Sequence, residues 1–223
     1  MIKKFSALSF FVLVSICVLQ AQSTTTTSSA TANPGGFYIK GGVNFSNIST
    51  NNDGTYNDAN TLTTFNVGLI GDVPLADVLS LQPGVVLTGK GSKAHNSLLN
   101  QTNKFNPLYI EVPVNIVVKL PVGSDSRFFF GAGPYGALGV GGKSKTTGDL
   151  INESHNIKFG DSNGDDLKSF DFGLNGLAGI EISRLMLGVN YGLGLSKIGP
   201  IQDNDSNDKN KYRVFSVNVG IRF

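Results

Sequence analysis

Residues 215–223 read Phe-Ser-Val-Asn-Val-Gly-Ile-Arg-Phe, a strict alternation of apolar with small or polar side chains that stops on an aromatic residue. Side chains on a β-strand point to opposite faces with period 2. Phe215, Val217, Val219, Ile221 and Phe223 therefore share one face, and Ser216, Asn218, Gly220 and Arg222 the other. Such a strand needs a strand partner on each edge, an apolar medium on one face, and a polar or crowded space on the other.

Seven earlier segments carry the same period. In residues 37–45, Phe37, Ile39, Gly41, Val43 and Phe45 alternate with Tyr38, Lys40, Gly42 and Asn44. Phe65, Val67, Leu69 and Gly71 form the apolar face of the second segment; Leu79, Leu81, Pro83, Val85 and Leu87 form that of the third. The fourth has Leu108, Ile110, Val112, Val114, Ile116 and Val118 against Tyr109, Glu111, Pro113, Asn115, Val117 and Lys119. The fifth, residues 127–140, is interrupted by the triplet Phe128-Phe129-Phe130, which is apolar on both faces. The sixth sets Phe170, Phe172, Leu174, Ala178, Ile180 and Ile182 against Asp171, Gly173, Asn175, Gly179 and Glu181; the seventh runs over 185–195. No segment has the 3.6-residue period of a helix. Eight strands of about 9–14 residues are long enough to cross a bilayer at a tilt.

The connections alternate in length. Residues 47–63, 91–107, 141–169 and 197–211 are long, whereas 74–77, 121–126 and 183–184 are short. Short turns at one end and long loops at the other are the habit of outer-membrane barrels, with the short turns in the periplasm. The expected fold is therefore all-β: an eight-stranded antiparallel up-and-down transmembrane β-barrel with short periplasmic turns and long extracellular loops. A soluble lipocalin-like barrel would turn its apolar face inward instead. Two features favour apolar outside: the polar face is rich in Gly, Ser and Asn, and aromatics gather at segment ends. Phe37, Phe128 and Phe223 mark the periplasmic side; Phe45, Phe65, Phe170 and Phe215 mark the other. Phe215 and Phe223 of the last strand are expected to act as the assembly signal.

On the polar faces the charges balance: Lys40, Lys90, Lys119 and Arg222 against Asp72, Glu111, Asp171 and Glu181. The interior of an eight-stranded barrel is just wide enough for side chains to fill, and charges buried there must pair or reach water. A salt-bridged lumen network of these eight residues is expected rather than an open pore.

The amino end reads as a secretory signal over residues 1–21: Lys3 and Lys4, an apolar stretch over 5–19, and Ala21 before the cut. Cys17, the only cysteine, lies inside it. Residues 22–36 form a Thr/Ser-rich leader with nothing to bury, and 37–223 is the barrel domain. The chain has 18 Lys and Arg and 16 Asp and Glu; loss of Lys3 and Lys4 leaves 16 of each, so no basic field argues for nucleic acid.

Several segments look familiar together. Residues 83–91, Pro-Gly-Val-Val-Leu-Thr-Gly-Lys-Gly, are one; Leu108-Tyr109-Ile110-Glu111-Val112-Pro113-Val114 is similar to a YLEIPL element. Gly133-Pro134-Tyr135-Gly136, Asp171-Phe172-Gly173 and residues 187–193 complete the set. In order and spacing the chain resembles the PorT-type outer-membrane β-barrel family of Bacteroidota. The resemblance implies an eight-stranded outer-membrane barrel and little about activity, although named relatives take part in secretion and gliding.

Residues 161–166, Asp-Ser-Asn-Gly-Asp-Asp, resemble the start of a calcium loop, but the closing acidic ligand is missing: that position is Phe172. Residues 203–208 are a second acidic stretch. Both read as solvated loops. His95 and His155, the only histidines, lie in predicted loops near Ser97 and Ser154 without the spacing of a hydrolase triad. The run 139–144 mimics part of a phosphate loop without its helix. No metal or cofactor is expected, and no enzyme. The expected function is a monomeric structural or surface-interaction barrel. Its partners are outer-membrane lipid, the barrel-assembly machinery during biogenesis, and an unidentified surface ligand or protein met through the extracellular loops, residues 140–169 foremost. A narrow porin for small solutes and a soluble periplasmic lipocalin-like binder are the alternatives.

Overall fold

The computed structural model describes residues 33, 35–52, 55–58, 61–96, 101–148, 152–160, 165–198 and 210–223. The predicted signal, most of the leader, residues 161–164 of the calcium-like loop and the acidic stretch 203–208 lie outside the described residues.

The described residues form eleven strand segments: β1 (Gly36–Asn52), β2 (Thr55–Asp58), β3 (Leu62–Ala76), β4 (Leu79–Gly89), β5 (Ser92–Asn96), β6 (Gln101–Val122), β7 (Ser126–Thr147), β8 (Asn152–Asn156), β9 (Phe170–Ile182), β10 (Leu185–Gly194) and β11 (Lys211–Arg222). Eight of them close a ring in the order β1-β3-β4-β6-β7-β9-β10-β11, and every pairing is antiparallel. The strand over 215–223 closes it: Phe215 lies opposite Phe45, Val219 opposite Gly41 and Arg222 opposite Tyr38. Closure removes both sheet edges, the feature that lets a β-structure sit in a medium offering no hydrogen bonds.

The alternation sorts the side chains as the sequence implies. Ile39, Val43, Phe65, Leu69, Val85, Ile116, Phe128, Phe172, Val189, Val217 and Ile221 all stand on the outer wall and are exposed. Asn44, Asn66, Asp72, Gln82, Asn115, Lys119, Asp171, Asn175, Glu181 and Asn218 are buried inside. A lipocalin-like arrangement, apolar within and polar without, is thereby inverted, and the soluble alternative falls with it.

Three features differ from the sequence expectation. First, much of the predicted long loops is strand. β6 and β7 each run 22 residues and continue past the apolar belt, flanked by β5 and β8 as a four-stranded extension; β2 does the same beside β1. The run 139–144 therefore lies on β7 and does not enter a loop there. These stretches are polar on both faces, so hydrophobic period could not mark them. Second, the interior is not uniformly polar. Tyr38, Ile70 and Val86 form one buried cluster, with Met186 against it; Tyr109, Tyr135, Tyr212, Val214 and Ala137 belong to another. Third, Phe129 of the Phe triplet points inward, onto Gly179 and Gly188: a Cβ on Gly179 would lie 2.5 Å from the Phe129 ring. Those glycines clear the space that the ring fills.

The turns at the periplasmic end are short, as expected. Ser183 and Arg184 join β9 to β10, Ser183 taking a left-handed backbone (φ 56°) and donating its N–H to the Asp125 carbonyl at 2.7 Å.

Candidate functional site

Seven of the eight charged residues expected in the lumen meet in two clusters separated along the barrel axis, and the eighth, Lys40, lies between them. Period 2 dictates this, because each residue sits on the inward parity of its strand.

The periplasmic cluster centres on Lys119 of β6, whose side chain is fully buried. Its ammonium pairs with Asp72 of β3 and lies 2.9 Å from Glu181 Oε1 of β9. It also donates to the Tyr38 hydroxyl at 2.9 Å. That hydroxyl is 2.6 Å from Glu181 Oε1 and 3.2 Å from Asp72 Oδ2, so one proton serves two carboxylates. Gln82 Nε2 donates to Asp72 Oδ1 at 3.3 Å. Arg222 Nη1 is 4.0 Å from Glu181 Oε2, while its Nη2 donates to the Ser183 carbonyl at 3.0 Å. Two cations and two anions from four strands thus meet in one knot, with the Tyr38 ring of β1 5.2 Å from the Lys119 nitrogen.

The outer cluster centres on Lys90, just past β4. Its ammonium is 2.9 Å from both Glu111 Oε2 and Asp171 Oδ2. Asp171 also accepts from the Tyr135 hydroxyl at 3.2 Å and from the Ser196 hydroxyl. Asn175 Nδ2 donates to Glu111 Oε1 at 3.2 Å. Three tyrosine rings surround the ammonium, that of Tyr135 at 4.2 Å, Tyr109 at 5.4 Å and Tyr212 at 5.9 Å. A cation held against aromatic faces and two carboxylates exchanges its hydration for protein contacts.

Between the clusters lies a belt of amides. Asn44 donates to Thr88 Oγ1 at 2.9 Å and to the Gly89 carbonyl at 3.0 Å, and accepts from Asn66 at 2.6 Å and Ser216 at 2.8 Å. Lys40 enters this belt. Of the eight predicted lumen charges it alone has no ion pair within 4 Å among the described residues; Glu111 is its electrostatic partner across the lumen. Two small cavities flank it, of about 30 and 40 Å³, each with room for about two or three waters. Their walls present the Asn66, Asn115 and Asn218 carbonyl oxygens, buried without a protein donor.

Strand parity points the charges inward but does not single out the tyrosines that seat them, because Tyr38 and Tyr109 read simply as members of a polar face. The signal was there: inward tyrosines on β1, β6, β7 and β11 share parity with the lysines.

The other candidates lie elsewhere. His155 is exposed on β8 opposite Ser144, and His95 is on β5 opposite Thr102. The Asp166 carboxylate accepts the Lys158 N–H at 2.9 Å, a local turn contact. Among the described residues no group of three or more His, Cys, Asp and Glu could hold a metal ion. Phe215 stacks on Phe45 with ring centroids 6.3 Å apart. Phe223 is 71% exposed, and its N–H donates to the Phe37 carbonyl at 2.8 Å.

Among solved structures, the chain resembles the attachment invasion locus protein Ail of Yersinia pestis, one crystal of which holds the heparin analogue sucrose octasulfate. Identity to that chain is 15%, coverage is 86% of this chain and 100% of that one, and the TM-score is 0.44. Neisserial surface protein A matches at 14% identity over 86% and 100% of the two chains, TM-score 0.47. The outer membrane protein OprG of Pseudomonas aeruginosa matches at 17% identity over 88% and 99%, TM-score 0.43. No curated protein matches the chain in sequence. The family model described as outer membrane protein beta-barrel domain matches residues 20–199, and the chain, a protein of the outer membrane, belongs to that family.

Proposed function

We propose that this chain is a non-enzymatic, monomeric barrel with a lumen closed to solutes, serving the outer membrane as a structural and surface-interaction protein. The observation that carries the reading is the pair of charge knots on Lys119 and Lys90, which cross the lumen at two levels, with cavities of about 30 and 40 Å³ between them. A hydrated ion would have to break a fully buried ion pair at each level, a cost of several kcal/mol apiece. The narrow-porin alternative has no such support.

Export through a cleaved signal over residues 1–21, folding by the barrel-assembly machinery and membership of the PorT-type branch rest on the sequence patterns described above. The long strands beyond the apolar belt supply the surface for partners. Planar-bilayer recording of the reconstituted protein tests the closed lumen. Little or no steady conductance is expected; large, stable, reproducible channels at the nanosiemens scale would overturn the reading.

A further inference from the structure

Directly above the apolar belt, the outer wall carries a row of lysines that have no ion pair among the described residues. Lys93 of β5 lies opposite Lys104 of β6, which lies opposite Lys145 of β7. Residues directly opposite in an antiparallel sheet share a face and stand about 5 Å apart, where like charges repel. Lys143 is on the same face two residues along β7. Lys104, Lys143 and Lys145 are exposed. Glu153 of β8 belongs to the other face, since it pairs with Thr146. Among the described residues none of these lysines has an ion pair within 4 Å. Folding alone is not served by such a ladder.

The face is the outward one. Parity on β6 runs from the exposed Ile116, Val114 and Ile110 through Leu108 and Asn106 to Lys104. On β7 the extra residue Val140 in the register shift beside Leu108 and Tyr109 moves the outward parity to Gly141, Lys143 and Lys145. At about 3.3 Å per residue and a tilt of about 40°, Lys143 stands roughly 8 Å above Val140, and Lys104 roughly 10 Å above Leu108. That is the depth of lipid headgroups. A groove of about 470 Å³ opens at this boundary, lined by Leu108, Asn106, Gly141, Gly142, Lys143 and Asn156 among others. It exists because Gly141 has no side chain; a Cβ there would meet nothing within 4 Å.

We propose that this outer wall is a binding site for a phosphate-bearing anionic lipid of the outward-facing leaflet, its acyl chains on Leu108, Ile110 and Val140 and its headgroup in the groove against Lys143, Lys104 and Lys145. Continuity of the lysine row with the lipid-facing wall, rather than with the barrel mouth, selects a lipid over a soluble polyanion. The lipid's charge offsets the repulsion within the ladder. The inference rests on the outer wall facing lipid and is independent of whether the lumen conducts.

The test is a titration of the folded protein in zwitterionic detergent with diphosphorylated lipid A, read by native mass spectrometry, with phosphatidylcholine, inorganic phosphate and a heparin dodecasaccharide as parallel arms. Each lysine near an anionic surface contributes about fivefold, so the combined variant Lys104→Gln, Lys143→Gln, Lys145→Gln should lose about 100-fold for lipid A. Gly141→Phe, which fills the groove and alters no charge, should also weaken lipid A binding about tenfold or more. Arg at the three lysine positions should retain it. Heat-modifiable migration verifies that each variant is folded. Equal affinity of wild type and the triple Gln variant, equal affinity for phosphatidylcholine, or heparin bound as tightly as lipid A with the same lysine dependence would each overturn the proposal.

Discussion

Replacing Lys119 by methionine tests the periplasmic charge knot. Methionine keeps most of the aliphatic volume, so the change removes charge and little packing. In the folded barrel it leaves Asp72 and Glu181 facing each other with one Tyr38 hydroxyl proton between them, Gln82 on one side and Arg222 Nη1 4.0 Å from Glu181. Removing one partner from a fully buried ion pair costs about 3–5 kcal/mol, whereas removing all the charges together is often close to neutral. Lys119→Met should therefore lower the folding equilibrium constant by about 10³, taking 1.4 kcal/mol per tenfold. Combined with Asp72→Asn and Glu181→Gln, most of that loss should be recovered, a strong non-additivity within one network. The assay is urea unfolding of protein folded into phosphatidylcholine vesicles, followed by circular dichroism and heat-modifiable gel migration because the chain has no tryptophan. A single variant within about 1 kcal/mol of wild type, or a triple variant less stable than the single, would refute the reasoning.

The remaining expectations concern assembly and packing. Phe223→Asp, or deletion of Phe223, should sharply lower the amount of heat-modifiable barrel in cells while changing urea stability of refolded protein by less than about 1 kcal/mol, because a charge on the lipid face costs only about 0–1 kcal/mol near the membrane interface; the ring stands at the end of the barrel and the β1–β11 contact there is made by main chain. Wild-type cellular levels would count against an assembly role. Gly179→Val should prevent formation of a heat-modifiable barrel, since a Cβ there would lie 2.2 Å from the Leu187 carbonyl and 2.5 Å from the Phe129 ring. Gly176→Ala, whose Cβ meets nothing within 4 Å, should fold as wild type in the same gel assay.

The fold was legible in the sequence wherever one face of a strand meets lipid. There period 2 is forced: Phe215 to Phe223 reads as a membrane strand because every second residue must be apolar. The same parity placed all eight charges inside. Beyond the apolar belt both faces of a strand meet water, so 143–147, Lys-Ser-Lys-Thr-Thr, carries no period and its strand character is set by pairing with β6 and β8. Inside, the amphipathic nature of tyrosine hid half of the site: Tyr38, Tyr109, Tyr135 and Tyr212 pack their rings on apolar neighbours and turn their hydroxyls to polar atoms. Lys40 marks the limit of charge counting. A balanced tally implies pairing, yet its ammonium projects into the amide belt beside cavities sized for water.

The most direct test of a lipid-facing wall around a filled lumen uses methyl groups already present. In the protein reconstituted in nanodiscs with methyl labelling, the outward methyls of Val217, Val219 and Ile221 should be broadened by an acyl-chain spin label. The inward methyls of Ile70, Val86 and Val117 should be spared both by that label and by a water-soluble gadolinium chelate. Broadening of the inward set by the chelate would mean an open lumen and would contradict the account.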